Sequence, residues 1–202
     1  MSLCQIFVIA YLIKIFNIAL CYMLVHPVKQ HFLYFAYGSN LLKRRIKINN
    51  PHAEFVGVGR LDNFRLDFVS HYNLWGGSVA TIVPHIREHV WGAIWKMQYD
   101  EMPSLDKQEG VDLQQYVPRQ VNVYYPDGKQ AKCRTYQHMN FPVDVTTLDC
   151  LPENRRPSIT YKQCIIKGAY ECKIPKEYIK KLESIPTNGK LASETLRKFL
   201  RF

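Results

Sequence analysis

The sequence predicts an α+β domain, in which helices pack around a closed or strongly curved sheet. Two patterns carry this prediction. Short apolar segments separated by Gly, Asn and Pro fill residues 54–137, which is typical of successive strands. After Pro157 the apolar residues recur at spacings of three and four, which is typical of helices. With 202 residues, 47% of them hydrophobic, the chain can bury one sizeable core.

The domain begins with a buried strand over residues 32–37, which leads into Tyr37-Gly38-Ser39-Asn40. A short helix is predicted over residues 41–48, with Asn40 or Ser39 as its cap. Glycine, hydroxyl and amide groups ahead of a helix leave backbone N–H groups open to a ligand. We therefore expect a small anion cradle at this turn.

The remaining strands are predicted over residues 54–59, 64–69, 77–83, 89–97, 116–125 and 130–137. Pro126-Asp127-Gly128, between the last two, is the strongest hairpin signal in the chain. Helices are predicted around Tyr161, after Pro175 and after Ser193, which caps the last of them.

The chain is basic, with a formal net charge of +10 and a pI near 9.3. Nucleic acid attracts such a charge. The basic residues are scattered, however, and no RNP, KH, zinc-finger or basic-zipper pattern occurs. We therefore predict that the protein does not bind nucleic acid.

The six cysteines have irregular spacing and include no C-x-x-C pair. They match neither a zinc site nor a dense disulfide framework. Reduced thiols in a cytoplasmic domain are the simplest interpretation.

Residues 2–25 are almost continuously apolar, interrupted by Lys14 and Asn17. This stretch reaches the ~20 residues that cross a bilayer, and the basic residues after it would keep the main domain in the cytosol. Two interpretations of residues 1–27 stay open: a membrane anchor, or an apolar leader that packs loosely or reflects an uncertain gene start. The main domain is predicted over residues 28–202.

A zinc-peptidase signature, H-x-x-E-H, occurs at His85 to His89. The motif requires a helix, so that its two histidines share one face. Pro84 precedes it and an apolar strand pattern follows it. We therefore predict a short exposed turn between strands, and no metal site.

Glu109 is the strongest candidate for proton transfer. A short helical turn ends at Gly110, which leaves Glu109 at a helix end ahead of a loop that leads to Tyr116. Most glutamates in such positions lie at the surface. Beside aromatic residues, however, a desolvated carboxyl group has a raised pKa and can transfer a proton near neutral pH.

Six blocks of sequence, in register over roughly residues 32–186, resemble the γ-glutamylcyclotransferase family: YFAYGSNLLKRRI, GRLDNFRLDF, WGGSVATIV, VWGAIWKM, SLDKQEGV and YKQCIIKGA. The resemblance implies a mixed β-barrel with flanking helices. It also implies that the protein releases 5-oxoproline and a free amino acid from a small-molecule γ-glutamyl substrate, without a cofactor.

The resemblance also assigns roles to single residues. Glu109 matches the acid/base glutamate of the family, Tyr161 a tyrosine that closes over the substrate, and Tyr116 another tyrosine near the site. The loop that receives the γ-glutamyl group is matched by Tyr34, Phe35, Ala36, Tyr37, Gly38 and Ser39. Trp75-Gly76-Gly77 also matches, and we interpret it as packing with a close backbone approach.

The chain departs from the family pattern at residues 112–115 and 140–157. The preferred γ-glutamyl partner therefore stays open, and relatives specific for glutathione or for γ-glutamylamines are alternatives. A non-catalytic protein that binds a γ-glutamyl ligand or a partner is the alternative from another class. Homodimer formation and membrane contact through residues 2–25 are left open.

Overall fold

The computed structural model describes residues 5, 11–17, 30–69 and 74–202. The chain divides into two compact units, Met1–Gln30 and His31–Phe202. Residues 11–17, in the first unit, are helical. Most of the predicted anchor lies outside the described residues, and no described helix is both long and apolar enough to cross a membrane.

The second unit is built around a closed barrel with the spatial order β1-β3-β2-β4-β5. Strands β1 and β5 pair in parallel at Tyr34 and Arg134, whereas the other pairings are antiparallel. The mixed barrel predicted from the sequence is therefore confirmed. Its strands are β1 (His31–Ala36), β2 (Glu54–Val69), β3 (Val79–Gln98), β4 (Tyr116–Tyr124) and β5 (Gln130–His138).

Among the described residues of the second unit, five α-helices flank the barrel: α1 (Lys43–Lys47), α2 (Met102–Gln108), α3 (Ile159–Glu171), α4 (Lys176–Glu183) and α5 (Glu194–Leu200). The Ser158 hydroxyl caps α3 by accepting a hydrogen bond from the Tyr161 N–H. Pro175 precedes α4, and Ser193 caps α5, as the sequence predicted. Unpaired N–H groups at helix starts are satisfied in this way.

The predicted cap at the start of α1 is wrong. A 3-10 turn at Ser39–Leu41 precedes α1, and neither residue Ser39 nor Asn40 caps the helix, which starts after Leu42 without a side-chain cap. The physical reason is that the Asn40 amide is buried and bonded elsewhere, as described below.

Four of the predicted strand segments form two long strands. β2 runs through residues 60–63 and β3 through residues 84–88 without ending. The register between them shifts at Asn63, whose φ is 61°. Bulges of this kind bend a strand sharply without terminating its pairing, as closure of a small barrel requires. The Asn and Pro signals therefore mark bends within strands.

Helix α3 packs closely against the turn after β1. A Cβ on Gly168 would lie 2.4 Å from the backbone of both Leu41 and Leu42, so only glycine allows this approach. The Cys164 thiol donates to the carbonyl oxygen of Ser39 at 3.5 Å. The turn is thus held from the side of α3.

Candidate active site

A small cavity lies where the turn after β1 meets β3, β4, β5, α3 and the end of α2. It encloses about 30 Å³, or about 300 Å³ when its open mouth is included. Its walls are mostly tyrosines and backbone: Tyr34, Tyr37, Gly38, Ser39, Asn40, Ala80, Glu109, Tyr116, Tyr136 and Tyr161.

Gly38 leaves space at the cavity wall. Its φ of −107° is ordinary for any residue. A Cβ there would lie 3.1 Å from the Tyr161 hydroxyl and 3.2 Å from the Ala80 Cβ, which is tighter than most contacts of this kind. The missing side chain therefore keeps the backbone exposed to the cavity.

Glu109 lies at the end of α2, as predicted. The Gly110 N–H donates to Lys107 and the Val111 N–H to Asp106, which is the Schellman pattern of a helix end. Gly110 has a φ of +65°, and a Cβ on it would lie 2.5 Å from the Gln115 side chain. Glycine is favoured here by its positive φ, and the sharp end of the helix places the Glu109 side chain at the cavity.

The Asn40 side chain links several groups around the cavity. Its Nδ2 donates to Glu109 Oε1 at 3.0 Å and to the Tyr34 hydroxyl at 3.1 Å. Its Oδ1 accepts from Gln108 Nε2 at 3.0 Å, which fixes the orientation of the amide. Its backbone carbonyl accepts from Trp95 Nε1 at 3.1 Å. Asn40 therefore holds the Glu109 carboxyl group in one position.

Burial raises the pKa of Glu109 to about 7. The positive charge of Arg45 and hydrogen bonds from Gln108, Tyr34 and Asn40 act in the opposite direction and lower this pKa. Because burial outweighs them, both forms of the carboxyl group are populated near neutral pH. Such a group can accept a proton and return it within one reaction.

Two tyrosines meet at the peptide of Ala80. The Tyr116 hydroxyl donates to the Ala80 carbonyl at 2.7 Å, and the Tyr161 hydroxyl accepts from the Ala80 N–H at 3.0 Å. Burial raises the pKa of both hydroxyls, so they are neutral at physiological pH. Trp75 packs edge-on against Tyr161, with ring centres 4.7 Å apart.

A partly buried ion pair lies beside Tyr136, another lining residue of the cavity. Arg134 Nη2 binds both oxygens of Asp106, at 2.6 and 2.9 Å, and Arg134 Nε donates to the Tyr136 hydroxyl at 2.9 Å. The Tyr136 hydroxyl also donates a hydrogen bond to Asp106, and the backbone carbonyl of Tyr136 accepts one from the Tyr37 hydroxyl. The charge of Arg134 is therefore already balanced.

The structure brings together seven of the nine predicted site residues: Tyr34, Tyr37, Gly38, Ser39, Glu109, Tyr116 and Tyr161. It does not place Phe35 or Ala36 at the cavity. Their exposed fractions are 0% and 1%, and both belong to the core. Asn40 also lines the cavity; it belongs to the turn where an anion cradle was expected, but it was not among the nine predicted site residues. The sequence reasoning missed the lining residues Ala80 and Tyr136, which had no signal.

The glycines of Trp75-Gly76-Gly77 serve packing, as interpreted from the sequence. A Cβ on Gly76 would lie 2.4 Å from the Leu191 carbonyl oxygen, and one on Gly77 would lie 2.5 Å from the Ser158 nitrogen. Residues 140–157 do not line this cavity. They lie against β2, where Asp144 binds Arg155 at 3.0 Å and its carbonyl accepts from Arg65 at 2.8 Å.

The H-x-x-E-H motif lies within β3. The prediction that it forms a turn between strands is therefore wrong. Residues 86–88 are exposed, and Arg87 has a φ of 69°, because the strand bulges there. The helix that a zinc-peptidase motif requires is not formed. Across the described parts of the chain, no group of three or more His, Cys, Asp or Glu side chains is arranged to hold a metal.

The chain is similar to known proteins in sequence and in fold. A profile of the AIG2-like family matches residues 89–182. A γ-glutamylcyclotransferase from Bos taurus is 44% identical over 172 residues, which are 82% of this chain and 86% of that protein. One from Homo sapiens is 41% identical over 175 residues, 83% and 87% of the two chains. A solved γ-glutamyl cyclotransferase structure, 38% identical, gives a TM-score of 0.74 over 86% of this chain and all of that one.

The barrel, the cavity and these similarities define an enzyme of the cyclotransferase class. The chain belongs to the γ-glutamylcyclotransferase family.

Proposed function

We propose that this chain converts γ-glutamyl-amino acids to 5-oxoproline and a free amino acid, with Glu109 as the acid and base. The observation that carries the proposal is the Glu109 carboxyl group, which is held at the cavity by Asn40 and has a pKa of about 7. The names of the curated relatives agree with this activity.

In the proposed reaction Glu109 first takes a proton from the α-ammonium group of the substrate. The free amine then attacks the γ-carbonyl carbon of the same molecule and closes a five-membered ring. The bond from that carbon to the departing nitrogen breaks as Glu109 returns the proton to that nitrogen. Glu109 then takes the second proton from the ring nitrogen and passes it to the released amine, which leaves as an ammonium group. One group thus serves as base and then as acid, and no water, cofactor or redox step is involved.

The tyrosines and backbone N–H groups around Glu109 are neutral, which suits a reaction that needs one base and a folded substrate. The substrate supplies its own nucleophile, so the cavity has mainly to fold the γ-glutamyl chain into a ring-like shape. We assign the backbone N–H groups of Gly38 and Ser39 to the α-carboxylate or to the developing oxyanion. Tyr34, Tyr116 and Tyr161 are neutral at the pH of the reaction, so they leave Glu109 as the base.

The first test measures 5-oxoproline release from γ-glutamyl-alanine and from glutathione by the full chain. We expect wild-type turnover of the dipeptide and at least a 100-fold loss in Glu109→Gln, about the contribution of a general acid or base. Glu88→Gln, an exposed glutamate of the H-x-x-E-H motif, is the matched control and should keep full activity.

Each other outcome decides against the proposal. Normal activity in Glu109→Gln would remove Glu109 from the mechanism. Binding of γ-glutamyl-alanine without turnover would favour a non-catalytic binding protein. Turnover of glutathione or of a γ-glutamylamine alone would assign the chain to one of the more specific cyclotransferases.

We also propose a cytoplasmic location, within glutathione metabolism, for this domain. The four described cysteines are unpaired, and Cys133, Cys164 and Cys172 are buried as thiols. A reducing compartment suits such thiols. The absence of nucleic-acid binding stays a prediction, whereas a membrane anchor in residues 1–27 and a homodimer stay open.

A further inference from the structure

We propose that the Arg45 guanidinium binds the carboxylate of the departing amino acid, so that the enzyme prefers γ-glutamyl compounds whose leaving group carries a carboxylate. The inference rests on the proposed function, because it concerns the second half of a γ-glutamyl-amino acid. It adds a binding residue from α1, outside the walls of the cavity.

Arg45 is half-buried and has no acidic partner. Its guanidinium lies over Trp75, with Cζ 5.9 Å from the ring centre. Its Nε is buried and makes no hydrogen bond, and no ion pair joins the guanidinium to any described residue. A buried N–H group without an acceptor is costly, so an arginine in this state is suited to receive an anion.

The position of Arg45 relates it to the active site. The Arg45 guanidinium lies over the Trp75 ring, Trp75 packs against Tyr161, and Tyr161 lines the cavity. Arg45 is also the charged group that acts on the Glu109 carboxyl. The enclosed part of the cavity is only about 30 Å³, so the leaving amino acid must extend through the open mouth.

The charges of the substrate favour such a group. A γ-glutamyl-amino acid carries two carboxylates, and the loop N–H groups of Gly38 and Ser39 can receive at most one of them. Arg134 contacts the cavity residue Tyr136, but Asp106 already binds it through both oxygens. The second carboxylate would gain a charge-assisted hydrogen bond from a cation without an acidic partner. Arg45, in contrast, acts on the Glu109 carboxyl group and has no acid bound to it among the described residues.

Arginine suits this task better than lysine. A planar guanidinium can stack on an indole and still present parallel N–H groups to a carboxylate. The stacking on Trp75 would hold the guanidinium in one orientation before the substrate binds, which reduces the entropy lost on binding.

The test compares γ-glutamyl-alanine with γ-glutamyl-alaninamide, in which a neutral amide replaces the terminal carboxylate. In the full chain, Arg45→Met should raise KM for γ-glutamyl-alanine about tenfold or more, the size expected of one charge-assisted hydrogen bond. KM for the amide should change by less than about twofold. Arg45→Lys should recover part of the loss, and Arg44→Met, at an exposed neighbour on the same helix, should change neither value.

The same comparison is made by equilibrium binding in Glu109→Gln, which does not depend on turnover. Calorimetry should show tighter binding of γ-glutamyl-alanine than of its amide, and Arg45→Met in that background should abolish the difference. An equal loss for both ligands would mean that Arg45 acts through packing or through Glu109, and no loss would exclude a role. If the wild type releases no 5-oxoproline, the proposed function fails, while the ratio of dissociation constants still decides the role of Arg45.

Discussion

The side-chain amide of Asn40 donates to the Glu109 carboxylate at 3.0 Å, across 69 positions of the sequence. Since the same amide nitrogen also donates to Tyr34, both of its hydrogens are in use, and Gln108 occupies its oxygen. The loop that receives the substrate and the group that transfers the proton are thus one hydrogen-bonded unit. A neutral donor holds the carboxyl group while preserving its basicity, whereas an ion pair would lower the pKa much further.

Asn40→Ala should lower kcat by about 10- to 100-fold, because Glu109 loses the donor that fixes its position. The measurement is steady-state kinetics with γ-glutamyl-alanine, alongside the melting temperature. Asn122→Ala, at an exposed position on β4, is the control and should behave as wild type. Unchanged kcat in Asn40→Ala would show that Glu109 needs no help from this amide.

The pH dependence of kcat/KM should report the Glu109 carboxyl group. Only the ionised form can act as the base, so activity should fall about tenfold per pH unit well below its pKa. The midpoint should lie near pH 7. A profile measured from pH 5 to 9 checks this. A midpoint near 4.5, the ordinary value for glutamate, would contradict the assignment.

Glu109→Gln should stabilise the fold at pH 8. The folded-state pKa is raised from 4.5 to about 7, so the folded protein binds this proton more tightly than the unfolded chain. Stability from this group is therefore complete below pH 4.5 and is lost as the pH rises to about 7. The variant avoids that loss, which is at most about 3 kcal/mol at 1.36 kcal/mol per pKa unit.

Urea unfolding of both proteins at pH 8 and pH 4.5 checks this prediction. The difference in the free energy of unfolding should be clear at pH 8 and should vanish at the lower pH. A variant less stable than wild type at pH 8 would show that Glu109 is not held there at an energetic cost.

Gly110→Ala should lower both stability and activity, since it disturbs the helix end that aims Glu109. Gly128→Ala is the matched control, because Gly128 also has a positive φ but nothing lies within 4 Å of an added Cβ. Both variants should lose about 1 kcal/mol to the left-handed backbone. Gly110→Ala should lose more, because its Cβ would meet the Gln115 side chain. Chemical unfolding and kcat measurements on the two variants test this, and equal losses would contradict it.

Local sequence signals predicted the local features of this fold. The hairpin at Pro126-Asp127-Gly128, the Ser193 cap and the helix end at Glu109 all depend on residues within a few positions of one another. The structure confirms each of them. At the hairpin turn, for example, Gly128 adopts the positive φ of 84° that glycine allows.

Features set by distant contacts could not be predicted in this way. By local propensity Asn40 is a helix cap, but tertiary contacts with Gln108 and Glu109 turn its amide inward. Tyr136 reaches the cavity because β1 and β5 pair and close the barrel. The sequence predicted that strands end near Asn63 and Pro84. In the closed barrel, β2 and β3 continue past these residues with a bend. No short window of sequence contains this information.

The parallel pairing of β1 with β5 also governs when the site can form during synthesis. The turn after β1 leaves the ribosome early, but its neighbours Tyr136 and Cys164 are made 99 and 125 residues after their partners in the turn. Until α3 has emerged, a nascent chain lacks one side of the cavity and exposes the apolar face of the turn. Folding rates fall as contacts become more distant in sequence. A ribosome stalled before α3 would therefore display a chain that has its loop and its glutamate but not the pocket that joins them.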